Sequence, residues 1–274
     1  EAIATNIYHH DGTLENGIND NSYRYAGATN AVKNFVCFGS DADSCPYDNL
    51  YRIIGVIDGK VKLIKYDYAN SNLLGTDGAY NPLTYQKKDY STYKGNHETI
   101  NRYSWNSATS NNTWSESNLN KINLNTNFIN NIGEKWASKI AETTWKVGGN
   151  TWNNLLGLSK SIAYQNEIVN SMANTIDGKT EYKAKIGLMY LHDNSCTNSR
   201  TKFYIYSQWM FMGLYDWTIT RRSDMNTAFF VNCTDAFDIL PIRDYNAVRP
   251  VFNLVPSTTY ISGTGTISDP IIIN

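Results

Sequence analysis

The chain has 274 residues, of which 41% are hydrophobic and 18% charged, and 24 Lys and Arg residues against 25 Asp and Glu residues give a net charge of −1. This length allows one large domain with a hydrophobic core or two ordinary domains, and the balanced charge argues against nucleic acid as a partner. No run reaches the roughly 18 apolar residues that a membrane-spanning helix needs. The 35 asparagines, 20 tyrosines and 7 tryptophans indicate a hydrogen-bonding surface that carries flat aromatic rings.

The first thirty residues are polar and rich in turn-forming residues, without a sustained hydrophobic period. They predict an extended N-terminal arm over residues 1–30, followed by a single domain over residues 31–274. The chain begins at Glu1 without a basic and apolar leader, so we expect a mature or trimmed product.

Two runs of β-forming residues, 50–56 and 61–66, flank the dipeptide Asp58-Gly59. This arrangement predicts a β-hairpin. Apolar residues and lysines alternate only imperfectly in the second run, and we expect one face of that strand to be solvated. The following stretch, residues 73–112, has little apolar periodicity and predicts a long irregular insertion.

Helical and strand signals alternate irregularly in the rest of the chain. The middle predicts a helix over 115–132, a short helix over 136–140, a strand over 143–147 and a helix over 159–174. The last ninety residues predict strands at 184–191, 217–220, 227–232, 237–242, 247–255 and 270–273. Because strands do not alternate regularly with helices, we expect an α+β fold with a mainly antiparallel sheet, two or three helices and long loops.

The four cysteines are compatible with two disulfides and an oxidising compartment. We expect Cys37 to pair with Cys45 and Cys196 to pair with Cys233, and no C-x-x-C occurs that would favour zinc.

An acidic loop is the alternative place for a metal. Asp41, Asp43 and Asp48 could supply oxygen ligands to calcium, but their spacing matches no EF-hand loop and favours a solvated turn. We therefore predict no metal and no cofactor, while calcium at this loop stays open.

No constellation for nucleophilic catalysis is recognisable in the sequence. The four histidines, His9, His10, His97 and His192, lie outside any G-x-S-x-G elbow. His192 precedes Cys196 by four residues, and we interpret the two as a surface histidine and a loop cysteine. A carboxylate pair for glycoside hydrolysis meets in space rather than in sequence, so that alternative stays open. We expect a protein that is not an enzyme.

Several tracts carry a family resemblance. They are residues 8–12 running into 15–17, 50–56, 185–190, 217–221, 247–254 and 262–266, with Asp269-Pro270. Together they resemble a large family of uncharacterised secreted or surface domains of low-GC Gram-positive bacteria and their phages. A tryptophan strand, a variable loop and a strand with Val248-Arg249-Pro250-Val251 are more distantly similar to the C-terminal end of the C-type-lectin-like fold of formylglycine-generating enzymes and of the variable proteins of diversity-generating retroelements.

The resemblance implies a C-type-lectin-like domain located outside the cell or on the cell surface. Cys196 and Cys233 are too far apart to match the copper-binding cysteines of formylglycine-generating enzymes, which argues against that activity. In this fold the late loops display the ligand-binding surface, and residues 221–245 correspond to them by position. The predicted ligand-binding residues are Tyr204, Trp209, Arg221, Arg222, Asp224, Asn226, Asp235, Asp238, Arg243 and Tyr245.

These observations favour an extracellular, non-enzymatic binding module that recognises a host or bacterial surface glycan or protein, as in adhesion, through aromatic and amide side chains. The alternative is a structural subunit of a surface filament, a pilin-like or adhesin component capable of self-assembly. Neither hypothesis includes nucleic acid or a membrane span in this chain. A guanidinium inside an apolar strand needs a partner, so we expect Arg249 to be a structural anchor rather than a ligand contact.

Overall fold

The structure of the protein is a computed structural model. A seven-stranded sheet forms its centre. The structure describes residues 6–15, 17–29, 31–108, 111–151, 160–172, 178–196, 208–233 and 237–274, apart from the side chains of Asn150, Lys160, Ser195 and Cys196. The strands are β1 (Ile7–His9), β2 (Tyr23–Tyr25), β3 (Phe35–Cys37), β4 (Leu50–Ile57), β5 (Lys60–Lys65), β6 (Tyr80–Gln86), β7 (Thr99–Ser104), β8 (Thr143–Lys146), β9 (Gly149–Asn150), β10 (Glu181–Ala184), β11 (Ile186–Gly187), β12 (Asp216–Arg222), β13 (Thr227–Val231), β14 (Phe237–Pro241), β15 (Tyr245–Asn246), β16 (Val251–Asn253), β17 (Tyr260–Ser262) and β18 (Ile272–Ile273).

The helical elements are short. The α-helices are α1 (Ser71–Leu74), α2 (Ile129–Asn131), α3 (Glu134–Ala137), α4 (Lys160–Tyr164) and α5 (Leu191–Cys196). Two π-helical segments, Leu119–Phe128 and Gln165–Val169, adjoin α2 and α4, and single 3-10 turns lie at Tyr47–Asn49, Lys87–Asp89 and Trp114–Glu116. No described helix is long and apolar enough to cross a membrane.

The strands form an α+β arrangement of mainly antiparallel sheets, as the sequence predicted. The central sheet has the order β1-β2-β4-β5-β16-β11, and β3 shares one edge of β4 with β2. A four-stranded sheet has the order β14-β13-β12-β9, a three-stranded sheet has the order β15-β7-β6, and two further pairs are β10-β8 and β17-β18. The pair β9-β12 is parallel.

The predicted hairpin at residues 50–66 is confirmed as the pair β4-β5. Ile57 lies opposite Lys60, and the turn between them has positive φ at Asp58 (50°) and Gly59 (71°). This is the left-handed backbone that a two-residue hairpin turn requires and that glycine tolerates without strain.

Two segments differ from their predictions. The described part of the expected N-terminal arm belongs to the central sheet, because β1 pairs with β2 and β2 pairs with β4. The expected irregular insertion at 73–112 contains the regular hairpin β6-β7. Its buried face is built by Tyr85, Ile100 and Tyr103, and because tyrosine is an amphipathic residue, a count of aliphatic periodicity misses such a face.

Asparagine side chains connect the helix predicted at 115–132 to neighbouring backbone carbonyls. In the structure this helix consists of the π-helical segment Leu119–Phe128 followed by α2. Asn123 Nδ2 donates to the Leu74 carbonyl over 2.8 Å, Asn127 Nδ2 donates to the same carbonyl over 2.9 Å, and Asn125 Nδ2 donates to the Ile186 carbonyl over 3.0 Å. Part of the asparagine excess therefore serves internal packing rather than the surface.

The main hydrophobic core lies around the central sheet and contains most tryptophans. Trp105, Trp114, Trp145, Trp209 and Trp217 are all buried there. The Cys37–Cys45 disulfide is confirmed. The expected second bridge is not formed, because Cys233 is a free thiol in the described part of the chain; the side chain of Cys196 lies outside that part.

Candidate functional site

A cleft of about 320 Å³ opens beside the β4-β5 hairpin. Its other walls come from β8, from the helical segments at 160–169 and from residues 190–192, while β2 contributes Arg24. We call this feature the central cleft. Three aromatic side chains, Trp145, Tyr164 and Tyr190, line it together with charged and amide side chains, so both apolar and hydrogen-bonding surfaces are present in one concavity.

Two cations at the floor of the cleft share one buried carboxylate. Lys62 Nζ lies 2.5 Å from Asp193 Oδ2, and Arg24 Nη1 donates to Asp193 Oδ1 over 2.8 Å. Arg24 also pairs with Asp20 over 2.8 Å, and the backbone N–H of Tyr190 donates to Asp193 over 3.1 Å. The side chain of Asp193 is completely buried. Two carboxylates and two cations balance here, so these four residues add no net charge.

This pairing shifts the pKa values of both partners. Burial raises the pKa of Asp193, but the positive charges of Lys62 and Arg24, together with the neighbouring His192, outweigh burial and hold that pKa well below its usual range. Burial lowers the pKa of the Lys62 ammonium; the carboxylate of Asp193 opposes this shift and the neighbouring Arg24 adds to it. The structure therefore has a fully ionised carboxylate beside an amine that loses its proton more easily than an exposed lysine does.

A second buried pair lies next to the first. Glu167 accepts hydrogen bonds from the backbone N–H groups of Leu191 and His192, both over 2.9 Å, from His192 Nδ1 over 2.8 Å, and from the Thr220 hydroxyl. Because both carboxylate oxygens act as acceptors, His192 Nδ1 carries the proton. The other ring nitrogen, Nε2, lies 3.7 Å from Asp193 Oδ1, and the ring stacks on Tyr190 at a centroid distance of 5.1 Å.

The floor keeps hydrogen-bonding capacity for a ligand. Of the three protons of the Lys62 ammonium, one is directed to Asp193, while the rings of Tyr190 and Trp145 lie 5.0 and 5.7 Å from Nζ. Asn253 donates its amide to Thr143 over 3.0 Å, which leaves its carbonyl as the acceptor of that side chain at the cleft. Donors and acceptors thus occur beside aromatic rings, which is the usual composition of small-molecule sites.

Two predicted site residues are part of the interior, which corrects the prediction for them. Trp209 is 1% exposed, donates its indole N–H to the Tyr25 carbonyl over 3.0 Å and packs against Arg52. Arg221 is also 1% exposed and donates to the Val147 carbonyl over 3.2 Å. Loop position suggested a surface role for these side chains, but neither side chain is available to a ligand.

The other predicted residues are spread over the four-stranded sheet and its loops. Arg222 pairs with Asp224 in the β12-β13 turn. The backbone carbonyl of Asn226 in that turn accepts the N–H of Ile242 over 3.4 Å, which brings the turn close to the loop of Arg243. Asp238 is exposed on the edge strand β14, Arg243 is exposed, and Tyr245 is half-buried and pairs with Ser104. Tyr204 and Asp235 lie outside the described residues. A binding role for the exposed members stays a prediction.

Other sequence expectations have definite places in the structure. Arg249 is a buried anchor as predicted, with Nε 2.6 Å from Asp216 Oδ2. His192, expected at the surface, is 2% exposed because Glu167 holds it. In the acidic loop, Asp41 pairs with Lys135 and Asp48 pairs with His97. No group of three or more histidine, cysteine or acidic side chains suited to a metal occurs among the described residues.

Sequence reasoning missed the cleft residues Arg24, Lys62, Glu167 and Asp193. Lys62 gave no signal of burial, because it alternates with the apolar residues Val61 and Leu63 as on a strand with one solvated face. The structure instead buries this lysine, and a buried charge needs a partner. Arg24 gave no signal either, since it belongs to the segment that the composition assigned to an arm.

Comparisons of the chain with models of protein families, with curated proteins and with solved structures gave no match. The chemistry of the central cleft is therefore the basis for assigning a function.

Proposed function

We propose that the protein is a non-enzymatic, extracellular binding module and that the central cleft is its ligand site, with a surface glycan as the ligand. One observation carries the proposal: a cavity of about 320 Å³ combines three aromatic side chains with buried polar groups whose charges balance. Its volume lies at the lower end of small-molecule sites, which span roughly 300–1,000 Å³.

A saccharide fits this chemistry better than a charged ligand does. Sugar hydroxyls both donate and accept hydrogen bonds, so they can use the remaining Lys62 protons and the Asn253 carbonyl together. The apolar C–H faces of a sugar ring match aromatic walls such as those of Tyr164 and Tyr190. A phosphate or other strong anion would require an excess of positive charge, whereas Asp20 and Asp193 already offset Arg24 and Lys62.

The proposal includes a C-type-lectin-like fold and a cell-surface location. The α+β arrangement with mainly antiparallel sheets is compatible with that fold. The Cys37–Cys45 disulfide supports an oxidising environment, since disulfides are rare in reducing compartments. Relative to the sequence-based hypothesis, the ligand site moves from the late loops to the cleft.

The test is a glycan array followed by titration calorimetry of the best saccharide. Thr144 is exposed and lines the cleft, so Thr144→Arg should obstruct the cleft and reduce affinity at least about tenfold, a loss of about 1.4 kcal/mol. Thr99→Arg is the matched control, because Thr99 is an exposed threonine on strand β7 and does not line the cleft.

The late-loop variant Arg222→Ala separates the two surfaces. Binding that survives Arg222→Ala and is lost in Thr144→Arg, with unchanged melting temperatures, supports the cleft. Loss of binding in Arg222→Ala alone would return the site to the late loops, and an array without any bound glycan would reject the proposed ligand class.

A further inference from the structure

We infer that Lys62 binds carbonyl ligands covalently and reversibly, through an imine between its Nζ and an aldehyde carbon such as that of an open-chain reducing sugar. This inference rests on the proposed function, since the ligand must enter the central cleft. It names the chemical group of the ligand that the floor of the cleft recognises.

The position of Lys62 carries the inference. Lys62 is 5% exposed and yet lines the cleft, so the amine meets a ligand at the end of a cavity rather than in open solvent. Nζ lies 5.0 Å from the Tyr190 ring and 5.7 Å from the Trp145 ring. Nζ also shares the Asp193 carboxylate with the guanidinium of Arg24, and a neighbouring cation is one arrangement that makes a lysine amine nucleophilic.

The charged groups around Lys62 act in different directions. Arg24 from β2 disfavours the ammonium, Asp193 from α5 favours it, and Glu167 from the neighbouring helical segment favours it more weakly. Because Asp193 also pairs with Arg24, it is not the exclusive counter-ion of Lys62. Together with burial, this keeps the pKa of the ammonium below its usual value.

The reaction needs no oxidant or further reactant. The ammonium releases one proton to water, and the free amine attacks the carbonyl carbon, so that a C–N bond forms and the π electrons move to oxygen. One N–H proton then moves to that oxygen and gives the carbinolamine. Its hydroxyl takes a proton from hydronium and leaves as water, and the remaining N–H proton of the iminium returns to water, which leaves a neutral C=N bond. In sum, one aldehyde and one amine give one imine and one water.

Lys65 is an internal control on the same strand. Burial lowers its pKa to about 8, and its side chain is 1% exposed. However, Lys65 Nζ donates to the Asp48 carbonyl over 2.6 Å and does not line the central cleft. A lowered pKa without access should give no imine, so a comparison of Lys62 with Lys65 isolates the contribution of the cleft.

The experiment treats the folded protein with glyceraldehyde and cyanoborohydride at neutral pH, and mass spectrometry of tryptic peptides locates the trapped amine. Because the pKa of Lys62 is lowered and its side chain lines the cleft, Lys62 should be labelled faster than the exposed Lys121. Lys65 should stay unlabelled. Lys62→Arg, which keeps the positive charge, should lose the fast label while the protein stays folded.

Two outcomes would overturn the inference: labelling of Lys62 no faster than that of Lys121, or equal labelling of Lys65. A methyl glycoside has no free aldehyde and so separates this result from the proposed function. If the methyl glycoside binds in the cleft but no imine is trapped at Lys62, the inference fails and the binding module stands. If Lys62 is trapped but no saccharide binds, the imine site stands and the proposed glycan function fails.

Discussion

Strand β5 separates two buried polar networks of different construction. Lys62 belongs to the Asp193 network, which consists of Asp193, Arg24, Lys62 and Asp20. Lys65, three residues further along, faces the other side of the sheet and belongs to the Asp67 network, which consists of Asp67, Tyr47, Tyr93, Asp48, His97 and Lys65. The first network lines the central cleft, and the second contributes no residue to it.

The two networks stabilise a buried carboxylate in different ways. Asp193 is paired with two cations, whereas Asp67 accepts hydrogen bonds from Tyr47 Oη over 2.8 Å, Tyr93 Oη over 2.6 Å and two backbone N–H groups. Burial, together with the neighbouring charge of Asp67, raises the pKa of both tyrosines, so they remain donors. In the Asp67 network, neutral hydroxyl and N–H donors stabilise a carboxylate that is closed off from solvent. In the Asp193 network, the paired cations line a cleft and retain N–H donors that face it.

The largest expected effect is that of Asp193→Ala. This substitution removes the carboxylate that pairs with Lys62. Arg24 loses its ion pair with Asp193 and keeps the one with Asp20. Breaking a buried ion pair from one side costs about 3–5 kcal/mol, and urea unfolding should show a loss of that size. Asp43→Ala is the control at an exposed aspartate. A loss below about 1 kcal/mol would mean that water in the cleft solvates both cations.

Asp67→Asn tests the sealed network with a smaller expected effect. The substitution keeps the shape of the side chain but replaces a charged acceptor of four hydrogen bonds with a neutral amide. Hydrogen bonds to charged groups contribute about 1.5–3 kcal/mol, so unfolding should lose about that amount. Asp89→Asn, at an exposed aspartate in the neighbouring 3-10 turn, is the matched control. A neutral result would show that the tyrosines reorganise around an amide.

The smallest expected effect is a pH dependence at the rim of the Asp67 network. His97 Nε2 lies 2.6 Å from Asp48 Oδ1, and this hydrogen bond raises the pKa of His97 above its usual value. Protonated His97 therefore stabilises the folded state, and this contribution is complete below about pH 6.5, the usual pKa of histidine. The contribution is lost as the pH rises through the pKa of His97 in the folded protein. Because Asp48 is half exposed, the contribution should be at most about 1 kcal/mol.

The measurement compares the unfolding free energy of the wild type with that of His97→Gln across this pH range. The difference should shrink as the pH rises. A double variant with Asp48→Asn should remove the pH dependence of the difference, and a difference that stays constant with pH would assign the effect to packing.

The sequence predicted elements whose determinants are local. Asp58-Gly59 between two β-forming runs was sufficient to predict the β4-β5 hairpin. The short spacing of Cys37 and Cys45 was sufficient to predict their disulfide. The candidate site was not predictable in this way, because Lys62 and Arg24 meet Asp193 across 131 and 169 residues of chain. The strand position of Lys62 shows neither that the lysine is buried nor which of the acidic residues pairs with it.

The pairing of Arg24 with Asp193 also bears on how the protein folds. Contacts between distant parts of a chain form late, because the intervening loops must close first. During synthesis, strand β2 leaves the ribosome long before the segment with Asp193 exists, so Arg24 has Asp20 within reach but not yet Asp193. The central cleft is therefore complete only after residues 193 and 253 have been synthesised, because Asp193 pairs with both of its cations and Asn253 lines it.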